Sequence, residues 1–533
     1  MEFTPEMLAI VVSFLAPTGP LAPYASISRS WQHAVEQHTF SSLSLETDDL
    51  QRFEDCVAIS YSHRRASVRR IKFTAILPSY DDVACTHSER KSDKHANNES
   101  FSAAIHRLFA ALSKCDDVEK PRPITLSLRP PYSPMDKGHR DSDKTTPKVF
   151  KPEINEWATD WMQIWKYERE RDALGDLWEH RYEHSYLELL NSKALPVVQR
   201  AQYFEADLIG MRHLQPAAVV NMAGCMPNLQ DINWEIYDGE LRFPELRQNL
   251  RAGMGEALSQ LAQQGDVKMR KMRMRLMDEG PFNEMFPLPD VRGDREDGDA
   301  LSVQLGRFVR GESLVRIQLD GPFVMGAEFF DSERDAQNIP WPNLEEFFLT
   351  FSTHRPDGGW YFERDPSTSP RSPNHDEDRG DWSADEEGSD LGSDWDSEDS
   401  FFEVDPTKPD DYNERKELRL SGDEPSNVFR TYPNAHCEAL LESMARAVAT
   451  MPKIKNFAAG ADLPLTERTG GPEAFDVEYV ARHVANWKDE SEQEQANPRL
   501  RWRVPRDWRM GEKLEEAWKH VTGPDAIVKY EEW

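Results

Sequence analysis

Met226-Pro227-Asn228-Leu229-Gln230-Asp231-Ile232-Asn233-Trp234 returns as Trp341-Pro342-Asn343-Leu344-Glu345-Glu346-Phe347-Phe348-Leu349 and, more weakly, as Met451-Pro452-Lys453-Ile454-Lys455-Asn456-Phe457. The shared core is a bulky residue, proline, a polar residue, an apolar residue, and a second apolar residue three positions on. The L-x-x-L-x-L spacing within it also occurs at Leu314, Ile317 and Leu319, at Met269, Met272 and Met274, and at Val68, Ile71 and Phe73. Six segments carry one template, and such self-similarity marks units that bury their apolar faces against one another. Stretches before four of them are helical in period: Pro216 to Cys225, Arg247 to Gln263, Ala300 to Val309 and Glu438 to Thr450. Short strands alternating with helices imply parallel strands joined by crossovers, so the fold class is α/β.

The strand template resembles that of leucine-rich repeats. The resemblance implies an irregular, solenoid-like body of degenerate repeats with long insertions; otherwise L-x-x-L-x-L marks buried strands of an ordinary α/β domain. Stacked as neighbouring strands, the segments send Leu229, Ile232, Trp234, Leu314, Ile317, Leu319, Leu344, Phe347 and Leu349 into the core. The opposite face then carries Gln230, Asp231, Asn233, Val315, Arg316, Gln318, Glu345, Glu346 and Phe348. On curved repeat proteins this face is the usual recognition surface, which makes Arg316, Gln318, Glu346 and Phe348 candidate substrate-binding residues. Phe348 would be an aromatic anchor in a polar rim, unless Trp360 and Tyr361 cover it.

A length of 533 residues suggests two to four folding units. A net charge of -31 repels phosphate backbones, so nucleic acid is not expected as a partner. Cys56, Cys85, Cys115, Cys225 and Cys437 stand singly, with no CxxC and no Cys-His ligand spacing, so neither a disulfide framework nor a zinc module is encoded. The early apolar run, Met7 to Ala16, is preceded by Glu2 and Glu6 instead of a basic region, and no stretch approaches ~20 continuous apolar residues. The expected setting is the reducing cytosol or nucleus, without membrane contact.

At the N-terminus Thr4 can cap a helix beginning at Pro5. Leu8, Val11, Val12 and Leu15 form one apolar stripe, and Met7, Ile10 and Phe14 form another beside it. Ala16 to Pro20 breaks this helix, Leu21 to Ile27 begins another, and Ser28 to Trp31 leads into a third carrying Val35. A helix that is apolar all round must be covered all round. A module of about 45 residues cannot do this unaided, so either a partner or the protein's own body covers it.

Phe3-Thr4-Pro5-Glu6-Met7-Leu8, Val12-Ser13-Phe14-Leu15, Leu21-Ala22 and Ile27-Ser28-Arg29-Ser30-Trp31 resemble the F-box in order and spacing. Phe3-Thr4 stands in place of the commoner Leu-Pro, and Ile27-Ser28 in place of Val-Cys. The resemblance implies a three-helix module, residues 1–45, docked on a Skp-type adaptor and through it on a cullin. It places Phe3, Pro5, Leu8, Val11, Val12, Leu15, Leu21 and Trp31 at adaptor contacts or in their supporting core. With the runs Phe475 to Tyr479, Arg499 to Trp502 and Val528 to Tyr530, the chain is similar to a family of fungal F-box proteins. Such a chain would be a non-catalytic subunit that selects a protein substrate for a ubiquitin ligase. The alternative is a repeat scaffold whose F-box-like start is a terminal cap.

The expected organisation is the F-box, a repeat-like body over 46–352, an acidic linker over 353–427, and the body's remainder over 428–533. Asp376 to Asp405 holds one base, Arg379, among repeated acids; Ser383 and Ser393, each with an acid three residues on, make it a candidate phosphorylation segment. Tyr80 to Glu99 and Pro130 to Lys151 read as exposed insertions. Trp157, Trp161 and Trp165 form a stripe on a charged helix from about Glu153 to Leu190, and Lys268 to Arg275 alternates base with Met as a half-buried strand does. Gly253-Met254-Gly255 lies in a helical stretch and lacks a third glycine, and no phosphate loop, zinc-protease or nucleophile-elbow motif occurs. No catalytic residue, cofactor or metal is expected.

Overall fold

Thr4 accepts a hydrogen bond from the Met7 amide and Pro5 fills the first position of helix α1 (Pro5–Leu15). Helices α2 (Ala22–Ala25) and α3 (Arg29–Thr39) follow, α3 capped by the Ser28 hydroxyl. The structure is a computed structural model describing residues 3–57, 62–81, 84, 89–116, 122–136, 181–182, 184–207, 212–241, 243–264, 268–277, 280, 284–293, 298–331, 341–366, 430–463, 473–485 and 491–533. The tryptophan stripe at Trp157, Trp161 and Trp165, the acidic run with Ser383 and Ser393, and most of Pro130 to Lys151 lie outside these residues.

From α3 the chain enters strand β1 (Ser42–Glu46), helices α4 (Leu50–Cys56) and α5 (Ser62–Ser67), β2 (Arg70–Ile76), α6 (Lys91–Lys114) and β3 (Ile124–Tyr132). Next come β4 (Tyr186–Leu187), β5 (Ala201–Asp207), β6 (His213–Leu214), α7 (Pro216–Gly224), β7 (Asp231–Tyr237), α8 (Pro244–Gln263) and β8 (Lys271–Met277). Then α9 (Ala300–Val309), β9 (Arg316–Phe323), β10 (Glu346–Phe351), β11 (Phe362–Arg364), β12 (Arg430–Pro433), α10 (Ala435–Ala449) and β13 (Asn456–Leu463) lead to the C-terminal elements. These are β14 (Glu473–Val480), α11 (Glu492–Gln495), β15 (Arg499–Val504), α12 (Glu512–Thr522) and β16 (Ile527–Glu532).

Twelve of these strands make one sheet, in the order β1-β2-β3-β5-β7-β8-β9-β10-β13-β14-β15-β16. Each strand is added beside its predecessor. Pairing is parallel from β1 through β13, antiparallel at β13–β14 and β14–β15, and parallel again at β15–β16. The fold is thus mixed α/β around a large, mostly parallel sheet. All six template segments are strands of it, five of them contiguous. In register, Ile232, Met272, Ile317, Phe347 and Phe457 form one inward row and Trp234, Met274, Leu319, Leu349 and Ala459 the next. All are buried, and they share one cluster with helix residues such as Met254, Leu258 and Leu305.

The turns repeat as well as the strands. Asn228 donates to the Gln199 carbonyl one turn back (2.9 Å) and accepts from the Lys268 ammonium one turn on (2.9 Å). Asn343 repeats this with the Glu312 carbonyl (2.7 Å) and Lys453 (2.5 Å). The carbonyls of Gln230, Arg270, Val315 and Glu345 each accept two successive amides of the next strand's entry. Asn in the Pro-Asn-Leu core therefore ties each unit to both neighbours, using backbone groups that need partners in a packed turn.

Three expectations are corrected. Tyr80 to Glu99 is not simply an exposed insertion, because α6 begins at Lys91 and buries Asn97 and Asn98. Asn98 accepts from the Glu188 amide (3.0 Å) and Asn97 donates to Glu89, so polar residues enter the interior with partners, which hydropathy does not register. The helix expected to reach Leu190 has given way by Tyr186, where β4 pairs with β6. The acidic linker does not begin at Thr353: His354, Tyr361 and Phe362 are buried, and β11 pairs with β12 across 367–429. The C-terminal part belongs to the same sheet, with Trp502 and Trp508 packed on Phe475 and Trp518 edge-on to Trp502.

Candidate docking surfaces

The N-terminal module has its own small core. Leu8 and Val12 of α1 pack on Ala34 and Val35 of α3, with Leu21, Tyr24, Ala25 and Trp31 around them, and this cluster shares no residue with the main core. Trp31 stacks on Tyr24 with centroids 6.0 Å apart. Of the residues expected at an adaptor interface, Phe3 and Pro5 are exposed, Val11, Leu15, Leu21 and Trp31 are half-buried, and Leu8 and Val12 are buried. Leu8 and Val12 therefore belong to the core of the module itself. The outward stripe is the other one: Met7 is 47% exposed, Ile10 57% and Phe14 75%, continued by Phe3 at 50%; Ile27, in the connection between α2 and α3, is 59% exposed. Both stripes of α1 are apolar, so periodicity alone could not say which turns inward; the apolar face of α3 decides it.

The four residues expected on the strand face do come together. Arg316 and Glu346 are cross-strand neighbours on β9 and β10, paired at 3.3 Å, and Gln318 stands opposite Phe348. The Arg316 guanidinium lies 5.6 Å from the Phe348 ring centroid and donates to Gln318, which donates to Asp320 (2.9 Å). Phe348 is half-buried, whereas Tyr361 packs on Phe351 and Trp360 on His354 and Arg430.

Charge on this outward face closes on itself. Asp231, Lys271, Arg316 and Glu346 make one row, and Glu235, Arg275 and Asp320 another. Arg273 pairs with Asp320 at 2.9 Å, Arg129 with Asp207, Arg501 with Glu478, and Arg503 with Asp476 at 3.0 Å. Lys271 thus faces Asp231 on β7, Arg275 lies between Glu235 on β7 and Asp320 on β9, and Arg273 reaches Asp320. Each exposed cross-strand pair is worth ~0.2–1 kcal/mol, so the ladder sets complementarity more than stability.

Burial pushes the Cys115 thiol up to about 11 and raises those of Cys225 and Cys437 as well, which keeps these three in the unreactive thiol form. Among the described residues no cluster of His, Cys, Asp and Glu has a metal-holding arrangement, and no helix is long and apolar enough to cross a membrane. No protein-family model matches the sequence, and no curated protein or solved structure matches it.

Proposed function

We propose that the chain is the substrate-selecting subunit of a Skp-cullin-F-box ubiquitin ligase. Its N-terminal module is an F-box that binds the Skp-type adaptor, and its body is a leucine-rich-repeat-like solenoid whose strand face receives a protein substrate. The observation that carries the reading is the exposed stripe of Phe3, Met7, Ile10 and Phe14 on a module whose own core is already closed by Leu8 and Val12, with Ile27 also exposed. Large apolar side chains exposed in one stripe mark an interaction site. The sequential strand order, the recurring Asn bridges and the polar outward face support the repeat-like body. The cap alternative, in which the body covers the apolar helix, is disfavoured because the two cores are separate.

Co-expression of the tagged chain with a Skp-type adaptor tests this. Phe14→Asp or Ile10→Asp should abolish co-purification with the melting profile unchanged, because a carboxylate forced into an apolar interface costs several kcal/mol, about a thousandfold in affinity. Undiminished adaptor recovery in both variants refutes the reading. On the strand face, Phe348→Ala with Arg316→Ala should weaken substrate capture while adaptor recovery stays at the wild-type level.

A further inference from the structure

The two apolar cores are joined through polar contacts. Glu36 on α3 accepts from Arg64 on α5 at 2.7 Å and lies 2.5 Å from the His63 ring nitrogen, while Gln32 donates to the same carboxylate at 3.1 Å. Arg64 also sits 5.4 Å from the Phe40 ring centroid, and the His63 and His33 rings are 4.9 Å apart. Only Phe40 and Ser41 separate α3 from β1, and the Ser41 carbonyl is fixed by the amides of Arg69 and Arg70. That anchor holds one end of a short connection. It leaves the direction of α3 to the contacts made by its flank.

We propose that Glu36, gripped by Arg64 and His63, is a latch that sets the angle of the N-terminal module against the sheet. The inference does not depend on what docks on the exposed stripe; it says that whatever docks there is held at a defined distance from the strand face. The carboxylate is well placed for the task. It is 13% exposed and has partners on both of its oxygens, so the pair is partly shielded from the screening that weakens surface ion pairs. Hydrogen bonding from Arg64 outweighs burial and holds its pKa at about 2, so it stays charged over the working range.

Spin-labelled amino acids placed at the exposed positions Ser30 and Glu312 read the angle as a distance distribution in the full chain. Wild type should give one narrow distance. Glu36→Ala and Arg64→Ala should each broaden it, and the double variant should add nothing, because either change opens the same latch. Glu36→Gln, which keeps the side-chain volume and a neutral acceptor but no ion pair, should broaden it less than Glu36→Ala. Helical circular dichroism should be unchanged throughout. An unaltered narrow distance in folded Glu36→Ala, or in folded Arg64→Ala, overturns the proposal.

Discussion

Replacing Arg200 with Met tests how one side chain fastens three successive strand units. Arg200 is 3% exposed, and its guanidinium donates to four carbonyls: Arg122 (2.8 Å), Arg65 (2.9 Å), Cys115 (2.8 Å) and Val68 (2.9 Å). These lie at the ends of α5 and α6 and at the entries to β2 and β3, where helix-terminal carbonyls have no intrahelical partner. Hydrogen bonds from a charged donor contribute ~1.5–3 kcal/mol each, so four would sum to about 6–12 kcal/mol. Burying the guanidinium costs several kcal/mol of that, and a loss of about 3–5 kcal/mol is the expected net on removing one side of a buried charged network. Met fills much of the space, so little of the loss is cavity. Urea unfolding should show the transition midpoint falling, with hydrogen exchange accelerated in β2, β3 and α6 before β8 and β9. Arg200→Lys should recover only part, since an ammonium cannot span the fork. A stability loss below about 1 kcal/mol would mean that water replaces the guanidinium, and the argument from orphaned carbonyls would fail.

Gly321 has φ +82°, and a Cβ there would lie 2.4 Å from the Leu276 carbonyl oxygen on the neighbouring strand, so Gly321→Ala should destabilise by roughly 1–3 kcal/mol, measured by urea unfolding. Burial outweighs Arg503 and Arg501 at Asp476 and raises its pKa from 3.8 to about 6. A carboxyl whose folded pKa lies above its unfolded one loses stability as pH rises between the two values, here at most about 3 kcal/mol before screening. Asp476→Asn should therefore flatten the wild-type decline between pH 3.8 and about 6 in a series of denaturant titrations, and an unchanged slope would refute the assignment.

The sheet was legible wherever large apolar residues held the template. Leu229, Ile232 and Trp234 announce β7, and the alternation that put Phe347 inward and Phe348 outward is the one observed. Two strands between β2 and β7 escaped. In β5 the corresponding positions are Ala201, Phe204 and Ala206, of which the two alanines are too small to mark the template, and β3 is preceded by Pro123 where the template has a large apolar residue. The reversal to antiparallel pairing at β14 was not read either, although Gly470-Gly471-Pro472 just before it is a turn signal, because a turn signal does not say which strand the chain returns beside. The Lys268–Asn228 and Lys453–Asn343 bridges were in the sequence as residues but not as pairs, since each joins turns that are neighbours only once the strands have stacked.

Parallel sheets clad on both sides have strands that read as continuous apolar runs, and the strands here do not. β7 is Asp-Ile-Asn-Trp-Glu-Ile-Tyr and β8 is Lys-Met-Arg-Met-Arg-Leu-Met, alternating as far as Leu276, with the outward residues half-buried or exposed. Alternation concentrates the apolar burial on one face. It also places a charged or polar side chain on nearly every outward site, and parallel registry would align like charges if neighbouring strands matched. They match at one place only along β7, β8 and β9, where Lys271 stands opposite Arg316; elsewhere Asp231 and Glu235 of β7 face Lys271 and Arg275 of β8, and Arg275 faces Asp320 of β9. Exchanging the outward charges of β8 alone, with Lys271, Arg273 and Arg275 all changed to Glu, would set acid against acid at Asp231 and Glu235 on β7 and take the Arg273 partner from Asp320, while Glu346 keeps Arg316. The inward methionines would be untouched. Like charges directly opposite are destabilising across strands, so this variant should lose stability at low salt and regain part of it at high salt. A loss independent of salt would show that the outward face is held by something other than its charge ladder.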